Sequence, residues 1–424
     1  MLVSLLFLLI ATIFLELGNG LLGVLVPIQG ERAGFSVVTI GTLGTLYYSG
    51  FVVGCMFLPR IIRRFGHIRS FAAFAALGSS AALIHALAIA PLPWLALRAV
   101  VGLCLAGLLI VIESWLNNQA TPQSRGHVFG LYMAATWFGI VGGQLLFSVP
   151  SSETFQLFAV VAIAISLSLV PVTLTTGAVP TIPQVTSVNL VGLYRLAPVG
   201  LVGCLAVGLA NGAFWTFAPL FARAWSGTSL GVSLFMSAAV IGGALSQWPI
   251  GRFSDRVDRR WVIAAVCLAS AAVAVSLLLD FVGSNWIFLG LTALFGALAL
   301  SLYPLCVAHV NDRADPEASV EVSSRLLLVF GFGAIVGPFL ASFLIAELGI
   351  ASLLGFIASI HVALALYTFG RIKAAKPVPE PERTVFTPSP PLAHGTQAVV
   401  ELQHSAEDDD DVAHPEQHTP GDQR

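Results

Sequence analysis

The chain has 424 residues, of which 57% are hydrophobic and only 10% charged, and its formal net charge is −2. An ordinary globular protein carries roughly 25% charged residues, so this composition cannot cover a water-exposed surface of such size. The near-neutral balance also offers no electrostatic footprint for nucleic acid, and none is expected as a partner.

Apolar runs of about twenty residues, the length that crosses the hydrocarbon core of a bilayer, recur to the neighbourhood of Gly370. The first, 4–26, lacks the basic start and short core of a signal peptide and reads as a retained span. It continues with 37–58, 69–90, 94–116, 127–149 and 154–174. A second set covers 196–219, 229–250, 261–281, 285–309, 323–345 and 349–370. Twelve transmembrane helices are therefore expected, with lipid as their solvent. The units they imply are a first bundle over 1–174, a linker over 175–195, a second bundle over 196–370 and a tail over 371–424. The tail is rich in Pro, His and acids and is expected to be disordered and cytoplasmic. Its histidines lack metal-ligand spacing, as do the five cysteines, all in apolar runs, so no metal or cofactor is expected.

Arginine sets the orientation. Arg60, Arg63, Arg64 and Arg69 crowd the loop after the second span, and Arg252, Arg256, Arg259 and Arg260 crowd the loop after the eighth. Arg125, Arg195, Arg313, Arg371, Lys373 and Lys376 fall on the same side, while the other side has little beyond Arg32 and Arg223. The positive-inside rule places both termini in the cytoplasm, in a plasma or inner membrane.

The two sets of spans repeat one another. Asn19-Gly20 followed by Pro27 in span 1 returns as Asn211-Gly212 followed by Pro219 in span 7, at an offset of 192 residues. Further on the offset becomes 194, pairing Gly102 with Gly296, Gly139 with Gly333 and Gly143 with Gly337. Each half has six spans, so both start on the same membrane side. The expected fold is an all-α integral membrane protein of two parallel six-helix repeats, related by an axis along the membrane normal.

Ionisable and polar groups inside spans are costly and become functional candidates. Glu16 lies mid-span in helix 1, and Asn19 shares its face at i+3. A low dielectric disfavours the carboxylate charge, so Glu16 reads as a proton carrier; the alternative is a structural, hydrogen-bonded acid. Glu113 lies toward the inner end of span 4, as a second proton site or a helix-end acid bonded to the Arg-rich loops. Asn211 mirrors Asn19, and an amide suits either a substrate contact or helix–helix glue.

The segment Gly251-Arg252-Phe253-Ser254-Asp255-Arg256-Val257-Asp258-Arg259-Arg260 resembles the loop signature of the major facilitator superfamily, with Asp258 in place of the second glycine. Gln247-Trp248-Pro249-Ile250, Leu302-Tyr303-Pro304, Glu113-Ser114 and Gly143-Gln144-Leu145-Leu146 look like its YcaD-like branch. The resemblance runs over about residues 4–370. It implies the major facilitator fold and a gate role for Asp255, flanked by Gly251, Arg256, Arg259 and Arg260. The first-half loop departs from the signature, with Pro59 for Gly and Arg63 for Asp. Arg98-Ala99-Val100-Val101-Gly102 resembles the family's Arg-x-x-x-Gly motif of helix 4, linked to proton coupling. Helix rise puts Arg98 within about 5–10 Å of Glu16 along the membrane normal. A switchable Glu16–Arg98 pair and a snorkelling Arg98 are both open at this point. Helices 1, 4, 7 and 10 line the family's cavity, which makes Phe214, Trp215 and Tyr303 candidate substrate contacts. Gln144 stands where the family's antiporter signature has proline and is another.

The expected activity is secondary transport of a small organic solute by alternating access, coupled to protons through Glu16, Arg98 and Glu113, with the protein a monomer. An uncoupled facilitator and a transporter-like receptor signalling through its tail are the alternatives. The sequence holds no His-Glu-x-x-His, no Gly-x-Ser-x-Gly and no phosphate loop, and no enzyme activity is expected.

Overall fold

In a medium without water every backbone N–H and C=O must find its partner inside the chain, and helices do this segment by segment. The apolar runs fold accordingly. The computed structural model describes residues 2–121, 124–149, 154–175, 190–279, 285–314, 319–374 and Phe386. Among them α1 (Leu2–Arg32), α2 (Val37–Phe65), α3 (His67–Leu87), α4 (Pro91–Gln119), α5 (Arg125–Leu146) and α6 (Thr154–Thr173) form the first half. A short α7 (Leu190–Leu196) leads into α8 (Pro198–Ser226), α9 (Ser229–Arg256), α10 (Arg259–Ser276), α11 (Asn285–Ala299), α12 (Leu302–Asn311), α13 (Ser319–Leu348) and α14 (Ser352–Ala374). Among the described residues, twelve segments are long and apolar enough to cross a membrane, with α11 and α12 together making the tenth.

Two departures from the expected spans have local causes. Helices α1 and α8 run past the expected ends, keeping Pro27 and Pro219 inside. A proline costs the helix one backbone bond, which neighbouring helices compensate. The tenth span is broken between Ala299 and Leu302. Pro304 sits one turn into α12, so its ring would clash with the carbonyl of Leu300, four residues back; the helix breaks there, with the Ser301 hydroxyl donating to Ala297 O at 2.7 Å.

Packing repeats as the sequence does. α1 lies on α5 and α6, α2 on α4, and α3 on α4 and α6; α8 lies on α13 and α14, α9 on α11, and α10 on α11 and α14. The paired glycines sit at corresponding crossings. A Cβ on Gly20 would meet the backbone of Ile140 in α5, and one on Gly212 the backbone of Ala334 in α13. Gly102 approaches the Tyr47 carbonyl and Gly296 the Ala239 carbonyl in the same way. Small residues let helix backbones touch, and in lipid that close packing is a main source of association.

The halves join chiefly through α2 with α13 and α5 with α9. The Thr45 hydroxyl donates to Ile335 O at 2.8 Å, and Ser237 Oγ lies 3.5 Å from Gln144 Oε1. Glu31 and Arg223, at the ends of α1 and α8, form an ion pair at 3.1 Å. These links hold the halves together from mid-depth toward the Glu31 end. Within each half, α4 packs on α1, α2 and α3, and α12 on α8, α10 and α13.

Candidate functional site

A cavity of about 650 Å³, its open mouth included, lies between the halves. The first half contributes Asn19, Tyr47, Tyr48, Arg98 and Gln144 among apolar side chains; the second contributes Trp215, Thr216 and Met236. Both halves supply walls, so rocking one against the other would change the site's exposure.

Behind the first-half wall runs a file of polar groups. Glu16 is fully buried. Its Oε2 accepts from Asn19 Nδ2 at 3.0 Å, one helical turn on. Asn19 Oδ1 in turn accepts from the Tyr47 hydroxyl at 3.1 Å; an amide can serve both neighbours because it carries donors and an acceptor. The Arg98 guanidinium lies 4.2 Å from the Tyr47 ring centroid, and Tyr48 meets Tyr47 edge to face at 5.2 Å. Elsewhere in the first half, α5 brings Tyr132, whose hydroxyl donates to Glu113 Oε1 at 2.7 Å. Glu113 is also fully buried. The direct Glu16–Arg98 pair weighed from helix rise is not formed, because Asn19 and Tyr47 stand between the two. Arg98 does not snorkel to a headgroup either: it is 8% exposed and faces the cavity.

The repeat isolates what is special about this file. Under the two offsets Glu16 corresponds to Gly208, Tyr47 to Ala239, Arg98 to Thr292, Glu113 to Val307 and Tyr132 to Leu326. Only Asn19 keeps its counterpart, Asn211. A Cβ on Gly208 would meet the Phe330 carbonyl, so the second half closes as a dry backbone contact where the first half inserts a carboxyl.

The expected cavity residues separate. Asn19, Gln144 and Trp215 line the cavity, while Asn211, Phe214 and Tyr303 do not. Phe214 packs against Trp215 and Phe295, each at 5.4 Å between ring centroids. Tyr303 meets Phe330 edge to face at 4.8 Å. Tyr47, Tyr48, Thr216 and Met236 are cavity residues that sequence reasoning missed. The adjacent tyrosines of span 2 were the available signal, since a Tyr hydroxyl needs a partner inside a membrane.

At the Arg-rich end the loop arginines divide. Arg252 and Arg256 are exposed; Arg259 and Arg260 are buried. Arg259 bridges Asp255 at 3.0 Å and Asp312, just past α12, at 2.8 Å. Arg260 bonds Asp258 at 2.6 Å. These two arginines thus act as clasps inside the second half. Asp258, the departure from the family signature, caps α10 by accepting from the Arg260 N–H. Burial by itself would push its pKa up, but the hydrogen bonds and charge of Arg260 outweigh this and hold it below the ordinary value. The clasp is accordingly intact at neutral pH and weakens as pH falls through that lowered value. Gly251 and Asp255 have a further neighbour: Phe386 of the tail is buried against Gly251, where a Cβ would strike its ring, and its backbone bonds the Asp255 carboxyl.

Comparison with known proteins agrees with this architecture. The family model described as Major Facilitator Superfamily matches residues 8–224 and 200–404. The chain is 26% identical over 377 residues to a protein of Salmonella enteritidis PT4 (strain P125109) named "Uncharacterized MFS-type transporter YcaD", covering 88% of this chain and 96% of that protein. The protein of the same name in Salmonella typhimurium (strain LT2) is 25% identical with the same coverage. Among solved structures, a mutant of the nucleoside transporter NupG superposes with a TM-score of 0.75 at 14% identity, over 87% of this chain and all of that one. A bacterial homolog of the human lysosomal transporter Spinster, inward-facing and occupied, gives 0.69 at 15% identity over 91% and 98%. These relatives and neighbours are transporters, not enzymes. Twelve spans in two parallel repeats around a shared cavity, with a family model over nearly the whole membrane part, make this chain a member of the Major Facilitator Superfamily: a multi-pass membrane protein of the secondary-transporter kind, resembling YcaD.

Proposed function

We propose that the protein moves a small organic solute by alternating access and that protonation of Glu16 is coupled to the cycle. The observation that carries this reading is the linked set Arg98–Tyr47–Asn19–Glu16 together with the buried Tyr132–Glu113 pair, of whose members only Asn19 keeps its counterpart in the other half. A scaffold needs no such asymmetry, and buried acids in a membrane are expensive to keep. Glu16 is the group that gains and loses the proton. When ionised it is held by the Asn19 amide; when protonated it is neutral and suits the α1–α5 contact. Asn19 and Tyr47 connect this change to the cavity wall.

The Arg-rich end is assigned to the cytoplasm by the positive-inside rule. The halves then meet on the outer side, and the cavity faces inward. Asp255 and its loop belong to the inner gate that closes in the opposite state. The protein works as a monomer in a bacterial-type inner membrane, with the cavity at its own bundle interface.

The test is uptake into proteoliposomes with and without an imposed pH gradient. Glu16→Gln, which keeps the size and the Asn19 contact, is expected to remove the gradient dependence while leaving downhill exchange. Gradient-driven uptake by this variant at the wild-type rate would rule out Glu16 as the coupling group and favour uncoupled facilitation.

A further inference from the structure

Arg98 is the one charged group on the wall of the cavity. It is 8% exposed, its Nε is buried without a hydrogen-bond partner, and no carboxylate pairs with it among the described residues. The nearest acid in the file, Glu16, is off the cavity wall and bonded to Asn19. Tyr47 offers only its ring face to the guanidinium. A buried guanidinium normally has a carboxylate beside it, because leaving it unpaired is costly. The second half contributes Trp215 to the same cavity, and its Nε1, a donor only, is likewise buried and unpartnered. Two donor-only groups from opposite halves, both unsatisfied, need an acceptor from outside the chain. A planar guanidinium fork favours a two-oxygen anion.

We infer that the transported solute carries a single anionic group, a carboxylate or a phosphate, bound by Arg98 with the Trp215 N–H, and a mainly apolar body that fits the remaining walls. The inference rests on the transport reading and gives it a substrate class. It also assigns Arg98 to the solute, leaving Glu16 for the proton. Val24, Leu43, Ile140 and Met236 face the body of the solute, which disfavours a second charge at that end.

The test is equilibrium binding to the full chain in lipid nanodiscs, with no gradient present, so that a failure of proton coupling leaves it untouched. The probes are matched pairs: phenylacetate against phenylacetamide, and phenyl phosphate against phenol. The readouts are thermal stabilisation and tryptophan fluorescence. Wild-type protein is expected to bind at least one anion about tenfold or more tighter than its neutral partner. Arg98→Gln should lose that preference, and Arg98→Lys should keep part of it, since an ammonium retains charge without the fork. Wild-type protein that binds no anion, binds both members of each pair equally or prefers the neutral ones overturns the inference. An Arg98→Gln variant that keeps the full preference overturns it too. Arg98→Lys guards against a variant that fails to fold, and the wild-type comparison needs no variant at all. If the carboxylate alone or the phosphate alone is bound, that outcome names the source of the anion.

Discussion

At Glu16 the chain places a carboxyl where its repeat has glycine, and the Asn19 amide holds one of its oxygens. The Asn19 amide is the hinge of this arrangement, bonding the acid with one end and Tyr47 with the other. Replacing Tyr47 by Phe removes one hydroxyl while keeping the ring under Arg98. A single hydrogen bond contributes about 0.5–1.5 kcal/mol, so gradient-driven uptake should fall about two- to twelvefold, with anion binding retained; transport kinetics and nanodisc binding on the same variant separate the two. The acid, the amide and the arginine were readable in the sequence because intramembrane polarity is rare. Their connection was not. The link runs through Tyr47 on another helix, and helix-rise arithmetic fixes depth along the membrane normal but not rotation about each axis. For the same reason Phe214 and Tyr303 were placed on the right helices and yet turn toward packing partners.

Among the helices, glycine position decides how closely neighbours approach. Gly102 has the Tyr47 carbonyl where a side chain would begin, whereas Gly130 in α5 has open space around its would-be Cβ. Gly102→Ala should therefore lower the apparent Tm of the purified protein, by overpacking that costs about 1–3 kcal/mol. Gly130→Ala should leave Tm unchanged or slightly raised, since alanine favours the helix by about 0.5–1 kcal/mol. Parallel thermal melts in one detergent check both. The paired glycines were legible as a repeat because the same close crossing recurs in each half. The break in the tenth span was not anticipated, although Pro304 specifies where it falls. Hydropathy sees an unbroken apolar run there, and only backbone geometry registers the lost bond.

For the molecule as a whole, one end of the bundle is joined across the halves by Glu31–Arg223, Thr45–Ile335 and Gln144–Ser237. At the other end Phe386 rests on Gly251 and bonds Asp255. Phe386 thus rests on the acid proposed for the inner gate. Phe386→Ala in the full chain should shift the population toward closure of the Arg-rich end. Spin labels on Gly130→Cys and Phe253→Cys, both exposed sites on α5 and α9, report this as a shorter interlabel distance in pulsed resonance experiments. An unchanged distance distribution would mean that the tail contact has no influence on the gate. By itself the sequence determined the solvent, the twelve spans, the duplication and the family, because lipid leaves a chain few choices and hydropathy, charge bias and spacing record them directly. Only the tertiary structure decided that Arg98 faces the cavity without a carboxylate beside it, that Tyr47 and Asn19 stand between it and Glu16, that Arg259 and Arg260 are internal clasps, and that Phe386 packs on Gly251. Those outcomes depend on helix rotation and on contacts between residues far apart in the chain, which no local pattern encodes.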